Sequence, residues 1–187
     1  MEAINSSQQK SEKYQYWVSI LVPMLNEKET IIFVLNKIKK AMGSLNYEII
    51  IVDDGSSDGS GQEVQKFIMI NPELKVQYHY QKNQGKGGAI RTAIEHSNGE
   101  ILVVQDADLE YEPEDVLPLL EPFKQGAKVV YGSRNMMAGE REHSGILFYW
   151  GGLLVTYATN ILFGSSLTDE ATGYKLFHAS LFEKFTF

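Results

Sequence analysis

Ile101-Leu102-Val103-Val104-Gln105-Asp106-Ala107-Asp108-Leu109-Glu110 decides the fold of this 187-residue chain. Four consecutive apolar residues, two of them valine, read as a strand buried on both faces. The run then ends in carboxylates. Alternate residues of an extended chain point the same way, so Asp106 and Asp108 face one side, about 6–7 Å apart along the chain. Glu110 joins them if the extension continues. Such a row can hold one hard divalent cation and leave room for phosphate oxygens. The same residues also read as an acidic turn after a strand, because Asp favours turns.

Working outward, the chain repeats this pattern of a short apolar run followed by polar residues. Val18–Val22 is a strand stopped by Pro23, and Asn26 with Glu29 reads as a helix start. Ile31, Ile32, Val34, Leu35 and Ile38 then recur at helical spacing. Glu48–Val52 is a second buried strand ending in Asp53-Asp54-Gly55. Ser60 with Glu63 reads as a capping pair for a helix running to Asn71-Pro72. Val76–Tyr80 is a third, more polar strand, expected near an edge. Asn83–Gly88 is a glycine-rich loop, and a helix follows as far as Asn98-Gly99. After the Ile101–Val104 strand, Pro113 opens a helix with Glu114 and Asp115 in its first turn, ending near Gly126. Lys128–Gly132 is a fifth strand.

Strands alternating with helices at this spacing predict an α/β fold: a doubly wound, mostly parallel sheet with helices on both faces. Right-handed crossovers put every strand's carboxyl end on one edge, where ligands of such sheets bind. Five polar clusters converge there: Pro23–Glu27, Asp53-Asp54, Asn83–Gly88, Asp106–Glu110 and Gly132-Ser133-Arg134. Residues 1–15 are polar and read as a flexible N-terminal tail, leaving 16–187 as one domain.

Composition bounds the chemistry. A formal net charge of −7 makes nucleic acid a poor partner, since that needs basic surface. An anionic ligand would need local cations or a metal. There is no cysteine, which excludes disulfides, thiol catalysis and zinc–thiolate sites, and the composition suits a cytoplasmic protein. Phe148–Phe163 is the longest weakly polar stretch, but it falls short of the roughly 20 apolar residues a membrane span needs. Within it Phe148, Tyr149, Trp150, Leu153, Leu154 and Tyr157 form an apolar aromatic run that reads as core or as a surface for a membrane.

Two tempting motifs fail on spacing. Gly85-Lys86-Gly87-Gly88 lacks the Walker pattern, and Ile90 occupies the third position of a dinucleotide fingerprint. It remains either an anion cradle at a helix start or a plain turn. Asp54–Gly59 opens like a calcium loop, but Gln65 stands where the bidentate Glu belongs. The four histidines show no ligand spacing.

Taken together, the polar clusters resemble the family 2 glycosyltransferases with the GT-A fold. The matching pieces are Val18–Pro23 with Asn26-Glu27, Val52–Gly59, Asn83–Ala89 with Arg91, and Asp106-Ala107-Asp108. Tyr131-Gly132-Ser133-Arg134 and Leu167–Phe177, which contains Thr168-Asp169 and Gly173-Tyr174-Lys175, look like the polyprenyl-phosphate sugar transferases, among them the dolichyl-phosphate mannose and glucose synthases. The resemblance implies inverting transfer of a hexose from a nucleotide diphosphate sugar to a polyprenyl or dolichyl phosphate. Glu110 stands where the mannose enzymes commonly have Gln, which leans the donor toward UDP-glucose over GDP-mannose.

The resemblance also implies roles. Pro23, Leu25, Glu27, Asp53, Asp54, Gly85, Lys86, Arg91, Asp106, Ala107 and Asp108 would bind the nucleotide sugar at the carboxyl ends of the strands, with Asp53 accepting from base or ribose. Mg²⁺ or Mn²⁺ would sit on Asp106, Asp108 and Glu110 as a Lewis acid. Asp106, Asp108, Arg134 and Asp169 are the candidate catalytic residues. Arg134, Arg141, Ser144 and Lys175 would hold the acceptor phosphate, Arg134 alternatively forming a surface ion pair. Family members usually continue beyond the Thr-Asp…Gly-Tyr-Lys segment, so the chain reads as truncated at its C-terminus. A membrane surface is a further expected partner, at the cytoplasmic face. Two alternatives stay open: a family 2 enzyme with a hydroxyl acceptor, in which Asp169 would act as base, and a non-catalytic nucleotide-sugar-binding module.

Overall fold

The computed structural model describes residues 17–43, 45–133, 146–170 and 172–182. Six strands form one sheet in the order β3-β2-β1-β4-β6-β5. They are β1 (Trp17–Met24), β2 (Asn46–Asp53), β3 (Val76–Tyr80), β4 (Ile101–Val104), β5 (Val129–Tyr131) and β6 (Lys175–His178). β1 pairs in parallel with β2 and β4, and β2 in parallel with β3. β6 runs antiparallel to β4 and to β5, so β5 points the same way as the parallel four.

The alternation along β1 decides which helix lies where. Val18, Ile20, Val22 and Met24 face one side, joined by Ile49 and Ile51 of β2 and Ile101 and Val103 of β4. That face is covered by α1 (Ile31–Met42) and α2 (Ser60–Ile70), which supply Val34, Leu35, Ile38, Val64 and Phe67. Leu21, Ile50, Val52 and Leu102 face the other side, against Ala89 and Ala93 of α3 (Gly85–Glu95). Small residues there let α3 lie close to the sheet. The central strands β1, β2 and β4 are thus buried on both faces, as their unbroken apolar runs require.

The structure differs from the sequence reading in several places, each with a physical cause. Asn26 is no N-cap: α1 begins at Ile31 after Thr30, and Asn26 takes a left-handed conformation, φ 56°. Ser60 is the first residue of α2, not its cap, which is Gly59 at φ 99°. Residues Gly85–Gly88 are already helical and form the first turn of α3. The helix expected from Pro113 to Gly126 is a 3-10 turn (Pro113–Asp115) followed by one-turn helices α4 (Val116–Leu119) and α5 (Glu121–Lys124). Pro118 and Pro122 each remove a backbone donor and crowd the preceding turn. Strand β6 was not expected, because Lys-Leu-Phe-His is too short to display a period.

The aromatic stretch enters α6 (Ile146–Phe163). Leu154, Tyr157, Ile161, Leu162 and Phe163 of this helix are exposed, the last at 79%. No helix among the described residues is long and apolar enough to cross a membrane. The tail 1–15 lies outside the described residues.

Two glycines make opposite predictions about stability. A Cβ on Gly99 would lie 2.6 Å from the Ser19 backbone nitrogen and 2.9 Å from the Trp17 carbonyl oxygen, neither of which can yield. Gly99→Ala is expected to cost about 1–3 kcal/mol. Gly151 sits exposed in α6 with open space around it, and Gly151→Ala should gain roughly 0.5–1 kcal/mol through helix propensity. Urea unfolding of the two variants checks both signs.

Candidate functional site

The carboxyl edge of the sheet holds a cleft of about 200 Å³ lined by Pro23, Met24, Leu25, Glu27, Asp54, Lys86, Ala89, Asp106, Ala107 and Asp108. Four separate stretches of chain meet there: the ends of β1, β2 and β4, and the first turn of α3. The parallel register causes this. Met24 lies beside Asp53 at the ends of their strands, and the Gln105 N–H donates to the Leu21 carbonyl (2.9 Å), carrying the β1–β4 ladder to the edge of the cleft.

The loops after β1 and β2 are fastened to each other. The Asn26 N–H donates to Ser56 Oγ (2.8 Å), and the Ser57 N–H returns a bond to Asn26 Oδ1 (2.9 Å). The Glu27 N–H donates to Ser60 Oγ (2.9 Å), and the Lys28 N–H donates to Asp58 Oδ2 (3.0 Å). Ser60 in turn donates its backbone N–H to Asp58 Oδ1 (2.9 Å). Hydrogen bonds from the Ser60 hydroxyl first, then from backbone N–H groups of Ser60 and Lys28, hold the Asp58 carboxyl below the usual carboxylate range. This lacing brings Leu25 and Glu27 to the cleft wall.

The two aspartates ending β2 divide their work. Asp54 lines the cleft; its Oδ1 accepts from Gln81 Nε2 (2.7 Å) and from the Gln84 N–H (2.9 Å), anchoring the start of α3. Asp53, expected to face a base or ribose, is buried and does not line the cleft. Its Oδ1 accepts from the Ser56 N–H (2.7 Å) and its Oδ2 from the Tyr78 hydroxyl (2.8 Å). Burial, then that bond to Asp53, pushes the Tyr78 phenol well above its ordinary value.

Asp106 and Asp108 both line the cleft. The Lys86 ammonium lies 2.6 Å from Asp106 Oδ1. Glu110 does not join them. The chain bends after Gln105, and the Glu110 N–H donates to Asp108 Oδ1 (3.1 Å), so the extension assumed for a three-carboxylate row ends early. No three acidic or histidine groups among the described residues gather closely enough to hold a metal between them. Two carboxylates still fit Mg²⁺ or Mn²⁺, which keep waters and take further oxygens from a bound diphosphate.

The remaining expected residues lie elsewhere or outside view. Gly85 opens α3 at φ 80°, and Arg91 is exposed on α3 away from the cleft lining. Asp169 is buried. Lys175 Nζ stands 3.7 Å from Glu170 Oε1 and over the Tyr131 ring. Arg134, Arg141 and Ser144 fall outside the described residues. Sequence reasoning missed Met24, gave Ala89 no role, and missed Gln105, a fully buried amide next to Asp106. The available signal for Gln105 was a polar side chain directly continuing a buried apolar run.

The model for glycosyl transferase family 2 matches residues 19–186. Over 126 residues the chain is 34% identical to the dolichol-phosphate mannosyltransferase of Pyrococcus furiosus, covering 67% of this chain and 35% of that protein. Over 154 residues it is 32% identical to an undecaprenyl-phosphate 4-deoxy-4-formamido-L-arabinose transferase of Pseudomonas fluorescens, covering 81% and 44%. The chain thus spans less than half the length of these curated relatives. In fold it is similar to the glucosyl-3-phosphoglycerate synthase of Mycobacterium tuberculosis, solved with Mn²⁺, uridine diphosphate and phosphoglyceric acid. The TM-score is 0.67 at 20% identity, over 95% of this chain and 60% of that one. The sheet and its flanking helices have the GT-A arrangement.

The lacing of the two loops is open to direct measurement. Asn26→Ala removes the bond to the Ser57 N–H and replaces a side chain that tolerates positive φ with one that tolerates it less, at an expected cost of about 1–3 kcal/mol. Asn26→Gly restores only the backbone freedom and should recover part of the loss. Thermal unfolding, with hydrogen exchange at Ser57, checks the order wild type, then glycine, then alanine.

Proposed function

The chain belongs to glycosyl transferase family 2, and from that premise we propose that it carries the catalytic domain of an inverting hexosyltransferase. The donor is UDP-glucose or GDP-mannose and the acceptor a polyprenyl or dolichyl phosphate at the cytoplasmic face of a membrane. The observation that carries this reading is the meeting of Asp54, Lys86, Asp106 and Asp108 in one cleft at the carboxyl edge.

Each residue has a task that its chemistry suits. Pro23, Met24 and Leu25 offer an apolar wall to the flat base, and Glu27 borders it. Asp106 and Asp108 would hold Mg²⁺ or Mn²⁺, whose Lewis-acid charge would offset that growing on the departing diphosphate. Lys86 stands beside Asp106 on the first turn of α3, so its ammonium and the positive end of that helix favour phosphate oxygens. Asp54 holds that turn in place through Gln84.

A lipid phosphate is anionic at neutral pH, so its oxygen attacks the anomeric carbon without a base removing a proton. It does need cations to bring it close to a negatively charged donor. Arg134, Arg141 and Lys175 supply that charge in this reading, and Ser144 adds a hydroxyl that holds the phosphate. Asp169 positions rather than deprotonates. The names of the archaeal and bacterial relatives, one a dolichol-phosphate and one an undecaprenyl-phosphate transferase, support a lipid phosphate over a hydroxyl acceptor. The exposed apolar side chains of α6 support a membrane surface beside it.

Calorimetry of UDP and GDP tests the donor half. Binding should require Mn²⁺ or Mg²⁺, and Asp106→Asn or Asp108→Asn should weaken it by roughly tenfold or more. Equal affinity in EDTA would remove the metal from the account. A screen of UDP- and GDP-sugars against polyprenyl phosphate and free polyprenol tests the acceptor half. Turnover should need the phosphate. Preference for the alcohol, with a rate following one carboxylate's titration, would promote Asp169 to general base.

A further inference from the structure

The stretch that bears both cleft carboxylates, residues 106–110, has no regular secondary structure. It is held at its two ends by one short segment from far along the chain. At the start stands Gln105, fully buried. Its Oε1 accepts from the Tyr174 hydroxyl (2.9 Å), and its Nε2 donates to the carbonyl of Asp106 (3.1 Å). An amide can satisfy both bonds in only one of its two orientations. The Asp106 carbonyl, which can only accept, sets that orientation, and the Tyr174 hydroxyl holds the amide in it by donating to Oε1.

At the far end stands Tyr111, whose hydroxyl accepts from the Gly173 N–H (2.8 Å). The Tyr111 and Tyr174 rings meet edge to face with centroids 5.0 Å apart. Gly173 is required for this contact, because a Cβ there would overlap the Tyr111 ring. Both tyrosines are buried; Tyr174 belongs to the 173–174 segment that leads directly into β6, and Tyr111 touches both residues of it. The clamp thus closes between a loop on the donor cleft and the segment following Asp169 and Glu170.

We propose that Tyr174, acting through Gln105, and Tyr111, acting through Gly173, are positioning residues that set the spacing of Asp106 and Asp108 for a metal–diphosphate ligand. This rests on reading those two aspartates as the donor site. Neither tyrosine lines the cleft. They act by fixing two peptide segments, so their loss should fall on the metal-dependent part of nucleotide binding rather than on all of it. The clamp also gives the Gly-Tyr-Lys segment a physical reason to lie beside the donor site: its tyrosine is a structural member of that site.

The test compares wild type with Tyr174→Phe and Tyr111→Phe, which keep each ring and delete one hydroxyl. Hydrogen exchange should quicken about tenfold or more in peptides spanning 105–111 and stay unchanged in β1, β2 and α1. In Mn²⁺, the Kd for UDP or GDP should rise by roughly 3- to 10-fold, the span expected for one net hydrogen bond. Residual binding in EDTA should not change. Unchanged exchange across 105–111 in both variants would overturn the clamp. So would a loss of affinity equal in Mn²⁺ and EDTA, since that marks a general loosening. If wild type binds neither nucleotide with metal, the donor-site reading itself falls, and the exchange comparison alone decides whether the clamp exists.

Discussion

The ladder that joins β1 to β4 is the constraint on which the cleft depends. Val18, Ser19, Ile20 and Leu21 pair in parallel with Ile101, Leu102, Val103 and Val104, and both strands are buried on their two faces. A slip of one residue would send every one of these side chains to the opposite face. It would also move Asp106 and Asp108 away from Pro23 and Leu25 by about 3.3 Å. Burial of apolar side chains, worth about 1.5–3 kcal/mol each, therefore fixes where the carboxylates stand. The carboxyl edge is polar and irregular, but its geometry is inherited from an apolar ladder.

That ladder also explains a cluster at the other end of the strands. Ser19 and Glu48 pair across β1 and β2, and the buried Glu48 carboxylate accepts from the Ser19 hydroxyl (2.7 Å) and the Asn98 N–H (2.7 Å). The Gly99 N–H donates to Ser19 Oγ (2.8 Å), tying the turn before β4 to the middle of the sheet. A buried carboxylate is tolerated only when its oxygens are occupied in this way. It anchors the start of β4, while the Leu21 carbonyl anchors its end.

Much of this was legible in the sequence because burial leaves a strong pattern. Ile49–Val52 and Ile101–Val104 have no reading other than buried strands once helices alternate with them, and the polar residues after each could only meet at one edge. What was not legible depended on side chains choosing partners far away. Asn26 and Ser60 looked like helix caps, yet they bond across to the neighbouring loop. Asp53 looked as available as Asp54, until Tyr78 and Ser56 occupied it. Glu110 was drawn into the carboxylate row by an assumed extension that the bond from its own N–H to Asp108 ends. Strand β6 was invisible because four residues carry no period, although its pairing with β4 and β5 completes the sheet.

The central claim is that Asp106 and Asp108, set by the β1–β4 ladder, hold a divalent cation together with a nucleotide diphosphate. Paramagnetic broadening by substoichiometric Mn²⁺, in the presence of UDP and then of GDP, tests it residue by residue on the labelled chain. Amide signals of Ala107, Asp108, Leu109 and the Gly85–Gly88 turn should vanish first, while those of Ser19, Glu48 and Asn98 at the opposite end of the strands persist. Broadening centred anywhere but the carboxyl edge, or none that depends on the nucleotide, would contradict it.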